Sequence, residues 1–148
     1  MVSLSTIVIV ACVGLTADAT KLPEIALIID DIGYQYEIGR TAIELQQSFA
    51  YAILPFSPYG QGLARLAKSL NKEVMVHLPM EADDNNHLLG PSALRLNMSR
   101  REIEDTFHAS VAAVPYAVGI NNHMGSRLTR ERVHMNWLMH VMRERGGL

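Results

Sequence analysis

Strand-like and helix-like segments alternate four times along the chain, and this alternation restricts the fold more than any other property of the sequence. The apolar runs are Ile25–Ile29 before Asp30-Asp31, Phe49–Leu54 before Pro55, Glu73–His77 before Leu78-Pro79, and Ala117–Ile120 before Asn121-Asn122-His123. Each is followed by a segment with apolar residues at helical spacing. These sets are Ile38, Ala42 and Leu45; Leu63, Leu66, Ala67 and Leu70; Ile103, Phe107 and Val111; and Val133, Trp137 and Val141. Repeated strand-helix units predict an α/β fold, a mostly parallel sheet with helices outside it.

Local signals mark the borders. Ser57-Pro58 reads as a helix start, and Ser99-Arg-Arg-Glu102 as a capping box. Thr129 is expected to cap the last helix, which Gly146-Gly147 ends. Met80–Asn97 shows no period and reads as a long loop of the kind that often binds ligands. Leu148 reads as the first residue of a further strand. Four parallel strands leave two open edges, so residues 20–148 are expected to form the N-terminal part of a larger domain.

The first residues stand apart. Ser5–Leu15 is nearly all apolar and Ala17-Asp18-Ala19 follows, so Met1–Ala19 reads as a secretory signal peptide. The run is too short for a comfortable membrane span, and none is expected after cleavage. A periplasmic or secreted chain is expected, with a lipoprotein signal at Cys12 as the minority reading. Cys12 is the only cysteine, so the cleaved chain would have neither a disulfide nor thiolate chemistry. A net charge of -2 gives no basic surface for nucleic acid.

In parallel α/β folds, chemistry gathers at the carboxyl ends of strands. Here three of those ends carry Asp30-Asp31, His77 and Asn121-Asn122-His123. The first run reads as a strand buried on both faces. A lone Asp after such a strand reads first as the cap of a turn or helix, whereas for the pair a site reads as readily as a cap, and a bend in the strand end would turn both carboxylates to one side. Asp31, His77 and His123 would serve as three ligands of a divalent metal, zinc first, with a fourth position for water. Asp30 would take the proton from that water, and Ser126 or backbone N–H groups would stabilise an oxyanion. Glu81 reads either as a carboxylate holding an imidazole N–H or as a solvated loop charge. Pro55-Phe56 would shape a wall. The other histidines, His87, His108, His134 and His140, read as surface or packing residues.

Four segments together resemble the divergent polysaccharide deacetylase family: Ile28-Ile-Asp-Asp-Ile-Gly-Tyr34, Ala52-Ile-Leu-Pro55, His77-Leu-Pro-Met-Glu81 and Gly119-Ile-Asn-Asn-His-Met-Gly-Ser126. The resemblance runs from Ile25 to the end of the chain. It implies a distorted (β/α) barrel, of which about the first four units are present, and metal-dependent removal of acetyl groups from an envelope or extracellular polysaccharide. It implies that Asp30 is the base and Asp31 a ligand. The superfamily places two histidine ligands four apart, where this chain has His77 and then Glu81. His123 is the residue chosen to replace the second, with Glu81 as the other option for the third ligand. Asn121, Asn122 and Ser126 belong to the same motif as His123 and are expected at the substrate or behind the ligands. Family members continue with an Asp-Ser-Arg-Thr motif and a late histidine acid, which would follow Leu148.

Two readings compete with deacetylation. One is a catalytically inactive exported protein that keeps the fold and binds glycan or a protein partner. The other is a metal hydrolase acting on another substrate, such as an amide or phosphoester.

Overall fold

The computed structural model describes residues 25–147. The expected leader over Met1–Ala19, Cys12 and the strand start at Leu148 lie outside them. The described residues form four β/α units. Strands β1 (Ile28–Ile32), β2 (Ala50–Ile53), β3 (Glu73–Met80) and β4 (Ala117–Met124) alternate with helices α1 (Tyr36–Ile43), α2 (Gly60–Ser69), α3 (Arg100–Ala113) and α4 (Arg132–Arg145).

The sheet is parallel throughout, and its spatial order is the chain order β1-β2-β3-β4. Parallel crossovers are right-handed almost without exception, so an unreversed order keeps every helix on one face. Alternation then sorts each strand. Val74, Val76, Leu78 and Met80 of β3 join the core, together with Ile53, Leu63, Ala67, Ile103, Phe107 and Leu138. The intervening residues of β3, including His77, point to the opposite face. Burying one such aliphatic or aromatic side chain is worth about 1.5–3 kcal/mol.

β1 differs from its expected form. It is an edge strand rather than one buried on both faces: Ile25, Leu27 and Ile28 are exposed, and only Ile32 of β1 is fully buried. Among the described residues its one strand neighbour is β2, and Ile28 faces solvent while Ile29 packs partly against the core.

β3 and β4 run further than their expected stops. β3 passes through Leu78-Pro79, and β4 passes through Asn121-Asn122-His123, because the two strands stay paired as far as Met80 opposite Met124. Pro79 is tolerated because β2 has already ended, with Ile53 opposite Val76. Its carbonyl accepts instead from the Leu94 N–H at 2.9 Å.

The helices also shift. α1 buries Gly39 and Ile43 and leaves Ile38 and Leu45 exposed. The cause is close packing: a Cβ on Gly39 would lie 2.7 Å from Leu63 Cδ1, so α1 and α2 meet at the glycine. α2 begins at Gly60 rather than at Ser57, whose Oγ donates to the Leu54 carbonyl at 2.6 Å. Leu70 is exposed beyond its end. Ser99 and Glu102 form the expected capping box of α3. Thr129 does not cap α4, because it lies in a separate 3-10 turn, Leu128–Arg130, and its hydroxyl donates to the Gly125 carbonyl. Glu131 holds the N-cap position, and Val133 is exposed while Leu138 and Val141 are buried. The long loop is packed rather than loose, burying Ala82, Leu89, Ala93 and Leu94.

Candidate metal centre

The carboxyl ends of β1, β3 and β4 meet. His77 and Asn121 are register partners on β3 and β4, and Pro79 is the partner of His123. Partners in a parallel ladder share a face, so His77, Asn121 and His123 project together on the side away from the helices. β1 reaches the same place by breaking its regularity. Its register to β2 shifts between Ile29 and Ile32, and Asp31 has φ 61°. That left-handed conformation disfavours most side chains but is tolerated by Asp. The bulge lets two adjacent carboxylates approach one site, which a straight strand would forbid.

Gly33 follows with φ 141°, and a Cβ there would lie 2.0 Å from Ser57 Oγ. Only glycine lets the chain leave β1 this close to the end of β2.

Three donor atoms converge. Asp31 Oδ1 lies 2.9 Å from His123 Nδ1 and 3.1 Å from His77 Nε2, and the two nitrogens are 3.1 Å apart. His77 is 3% exposed, whereas the Asp31 side chain is 67% exposed. On its other side, His77 Nδ1 lies 2.8 Å from Asn121 Oδ1, and Asn121 Nδ2 donates to Asp30 Oδ1 at 2.8 Å. Asp30 Oδ1 is 3.9 Å from His77 Nδ1.

This donor set fits a divalent cation. A carboxylate oxygen and two imidazole nitrogens are the ligand types of borderline metals such as zinc, and the exposed side at Asp31 leaves room for water or substrate. Atoms with lone pairs this close together need a hydrogen or a cation between them.

Of the residues singled out in the sequence, Asp30, Asp31, His77, Asn121 and His123 are brought together. Glu81, Asn122 and Ser126 are not. Glu81 is occupied elsewhere: its Oε2 accepts from the Leu96 N–H at 2.8 Å, its Oε1 lies 3.7 Å from Arg127 Nε, and its carbonyl accepts from the Leu128 N–H. It ties the long loop and the turn after β4 to the end of β3. The Asn122 amide donates to the Met124 carbonyl, and Ser126 Oγ accepts from the Asp83 N–H.

A narrow cavity of about 60 Å³ adjoins His123, lined by Tyr34, Leu54, Phe56, Leu88, Leu89 and Pro91 among others. Phe56 forms the expected wall and has φ 59°. The Leu88-Leu89 contribution had no signal, because a loop without periodicity does not reveal where it folds back. A larger cavity, about 670 Å³, lies at the other end of the sheet among Leu27, Phe49, Leu70 and Glu73, far from this chemistry.

Residues 27–148 match the family model of the divergent polysaccharide deacetylases. The chain is 38% identical over 119 residues to the uncharacterized protein YibQ of Escherichia coli K12, covering 80% of this chain and 37% of that protein. It is 30% identical over 122 residues to an uncharacterized protein of Haemophilus influenzae, covering 82% and 43%. The crystal structure of uncharacterized protein ATU2773 from Agrobacterium tumefaciens C58 superposes with a TM-score of 0.72 at 20% identity, over 78% of this chain and 48% of that one, and so shares the fold. The chain spans less than half the length of these relatives. On the match across residues 27–148, the chain belongs to the divergent polysaccharide deacetylase family.

Proposed function

We propose that the chain carries the metal-binding half of a carbohydrate deacetylase centre, with acetylated envelope or extracellular polysaccharide as substrate. The observation that carries this reading is the convergence of Asp31, His77 and His123 on one point at the carboxyl rim of a parallel sheet. Zinc is the ion the donor set suits best. When bound, such an ion supplies Lewis acidity toward water and an acyl carbonyl.

The chain's own residues do the rest. Asp31, His77 and His123 hold their donor atoms in place before any ligand arrives. Asp30, half-exposed and anchored through Asn121, accepts the proton of the attacking water. The narrow cavity beside His123 suits a small acyl group rather than a sugar ring. Exposed Tyr34 and Phe56 at its mouth offer faces for a pyranose. Export belongs to the same reading, on the strength of the apolar run before Ala17-Asp18-Ala19.

The first experiment is metal analysis of the purified chain. One zinc per chain is expected, lost in Asp31→Asn and His123→Ala. The asparagine variant keeps a residue that tolerates the left-handed backbone, so it changes the carboxylate and not the backbone. Metal-free protein with unchanged stability in both variants overturns the centre. The second measurement is acetate release from acetylated oligosaccharides, expected to vanish in Asp30→Ala. Zinc binding and glycan retention without acetate release would favour the inactive glycan-binding protein.

A further inference from the structure

The link between Asp30 and His77 has a direction, and the direction assigns a role to Asn121. A carboxylate oxygen accepts hydrogen bonds and does not donate them. The atom of Asn121 that lies 2.8 Å from Asp30 Oδ1 is therefore its amide nitrogen. Its amide oxygen is then the atom 2.8 Å from His77 Nδ1, so His77 Nδ1 carries the hydrogen. In a neutral imidazole only one nitrogen is protonated. His77 Nε2 is left with its lone pair beside Asp31 Oδ1 and His123 Nδ1, so the hydrogen among these three atoms is the one on His123 Nδ1, which lies closer to Asp31 Oδ1, at 2.9 Å, than His77 Nε2 does, at 3.1 Å.

We propose that Asn121 is a positioning residue: it transmits the orientation set by the Asp30 carboxylate to His77 and fixes that ring as the Nδ1–H tautomer, with Nε2 as donor to a cation. The proposal rests on the metal-centre reading for its purpose, but the tautomer is a property of the chain alone. Three features support it. The register pairs Asn121 with His77, so the contact follows from the β3–β4 ladder and not from a long side chain reaching across. His77 is buried, so bulk water does not set its tautomer. Asp30 also has a separate task from Asp31: the two adjacent carboxylates approach opposite nitrogens of one imidazole, Asp30 the Nδ1 side and Asp31 the Nε2 side. Hydrogen bonding at the distal nitrogen is the general means by which proteins orient a metal-ligating histidine.

The test labels the histidines of the chain with ¹⁵N and reads the His77 tautomer by long-range ¹H–¹⁵N correlation, metal-free and with the imidazoles neutral. The His77→Gln variant assigns the signals. Wild type is expected to be predominantly Nδ1–H. Asn121→Leu, which keeps the volume and removes the acceptor, is expected to move the population toward Nε2–H. Asp30→Ala, on the exposed edge strand, is expected to move it in the same direction, because the amide loses the partner that fixes its orientation. Affinity for zinc alone, by chelator competition, is expected to fall 10–100-fold in Asn121→Leu. A wild-type ring in the Nε2–H form overturns the proposal, as does an unchanged tautomer in both variants. A purely packing role for Asn121 would change thermal stability and leave the Asp30→Ala tautomer untouched. If wild type binds no zinc yet shows the expected tautomer and its loss in the variants, Asn121 keeps this role and the metal reading falls.

Discussion

β3 and β1 each present a donor atom to the same point, and they are held in different ways. β3 lies between β2 and β4, keeps an unbroken register with β4 from Met75 to Met80, and buries most of its residues on both faces, His77 included. β1 has one neighbour among the described residues, is bulged at its acidic pair, and leaves Asp31 largely in water on a left-handed backbone. The imidazole half of the centre is therefore set by a packed ladder. The carboxylate half is set by a few local devices: a bulge, a tolerant residue type and one glycine. A change of side chain in the middle of the sheet should cost stability, whereas a change at the edge should cost geometry first.

The sharpest way to break this contrast is a matched pair of truncations. Ile53→Ala, at a fully buried position of β2 beside β3, is expected to lose about 2–5 kcal/mol in denaturant unfolding. Ile28→Ala, on exposed β1, is expected to stay within about 0.5 kcal/mol. Equal losses would mean that β1 is packed as tightly as the centre. Next in size is Gly33→Ala, where the new methyl meets Ser57 and the backbone is unfavourable; about 1–3 kcal/mol is expected. That variant should also weaken zinc binding, since it displaces the strand end carrying Asp31, and unchanged affinity would separate the glycine from the site.

The smallest effect lies away from both strands and serves as a control. Ser99→Ala removes the α3 cap at about 1 kcal/mol and should leave zinc affinity alone. Its hydrogen bonds, from the Ser99 hydroxyl first and then from its backbone N–H, hold the Glu102 carboxyl below its usual range. The sign follows from a lowered folded-state value. The contribution is present above the unfolded-state carboxyl value and is lost as pH falls through the lower folded one. Glu102→Gln should flatten that part of the stability–pH curve, and an unaltered curve would show that the cap does not titrate with folding.

The alternation of elements was legible in the sequence because periodicity reports local structure. His77 and His123 could be named because apolar runs end near them. Where β3 and β4 stop was not legible: Pro79 reads as a breaker, and only the early end of β2 makes it harmless. The inward face of α1 was misjudged because Ile38 outranks Gly39 in hydropathy, while the close approach of Leu63 selects the glycine. Glu81 was ambiguous in the sequence because its partner, the Leu96 N–H, comes from a loop with no pattern to read.

The donor atoms come from β1, β3 and β4 and omit β2. Anything bound by all three would therefore fasten the outermost strand to the far side of the sheet, over the top of the strand between them. Ligand binding and order at this margin are then one equilibrium: occupancy favours the attached margin by RT ln(1 + [L]/Kd), and loosening of the margin lowers affinity by the same linkage. Amide hydrogen exchange along Ile28–Ile32 would read the coupling directly, slowing on addition of zinc while β2 and β3 change little.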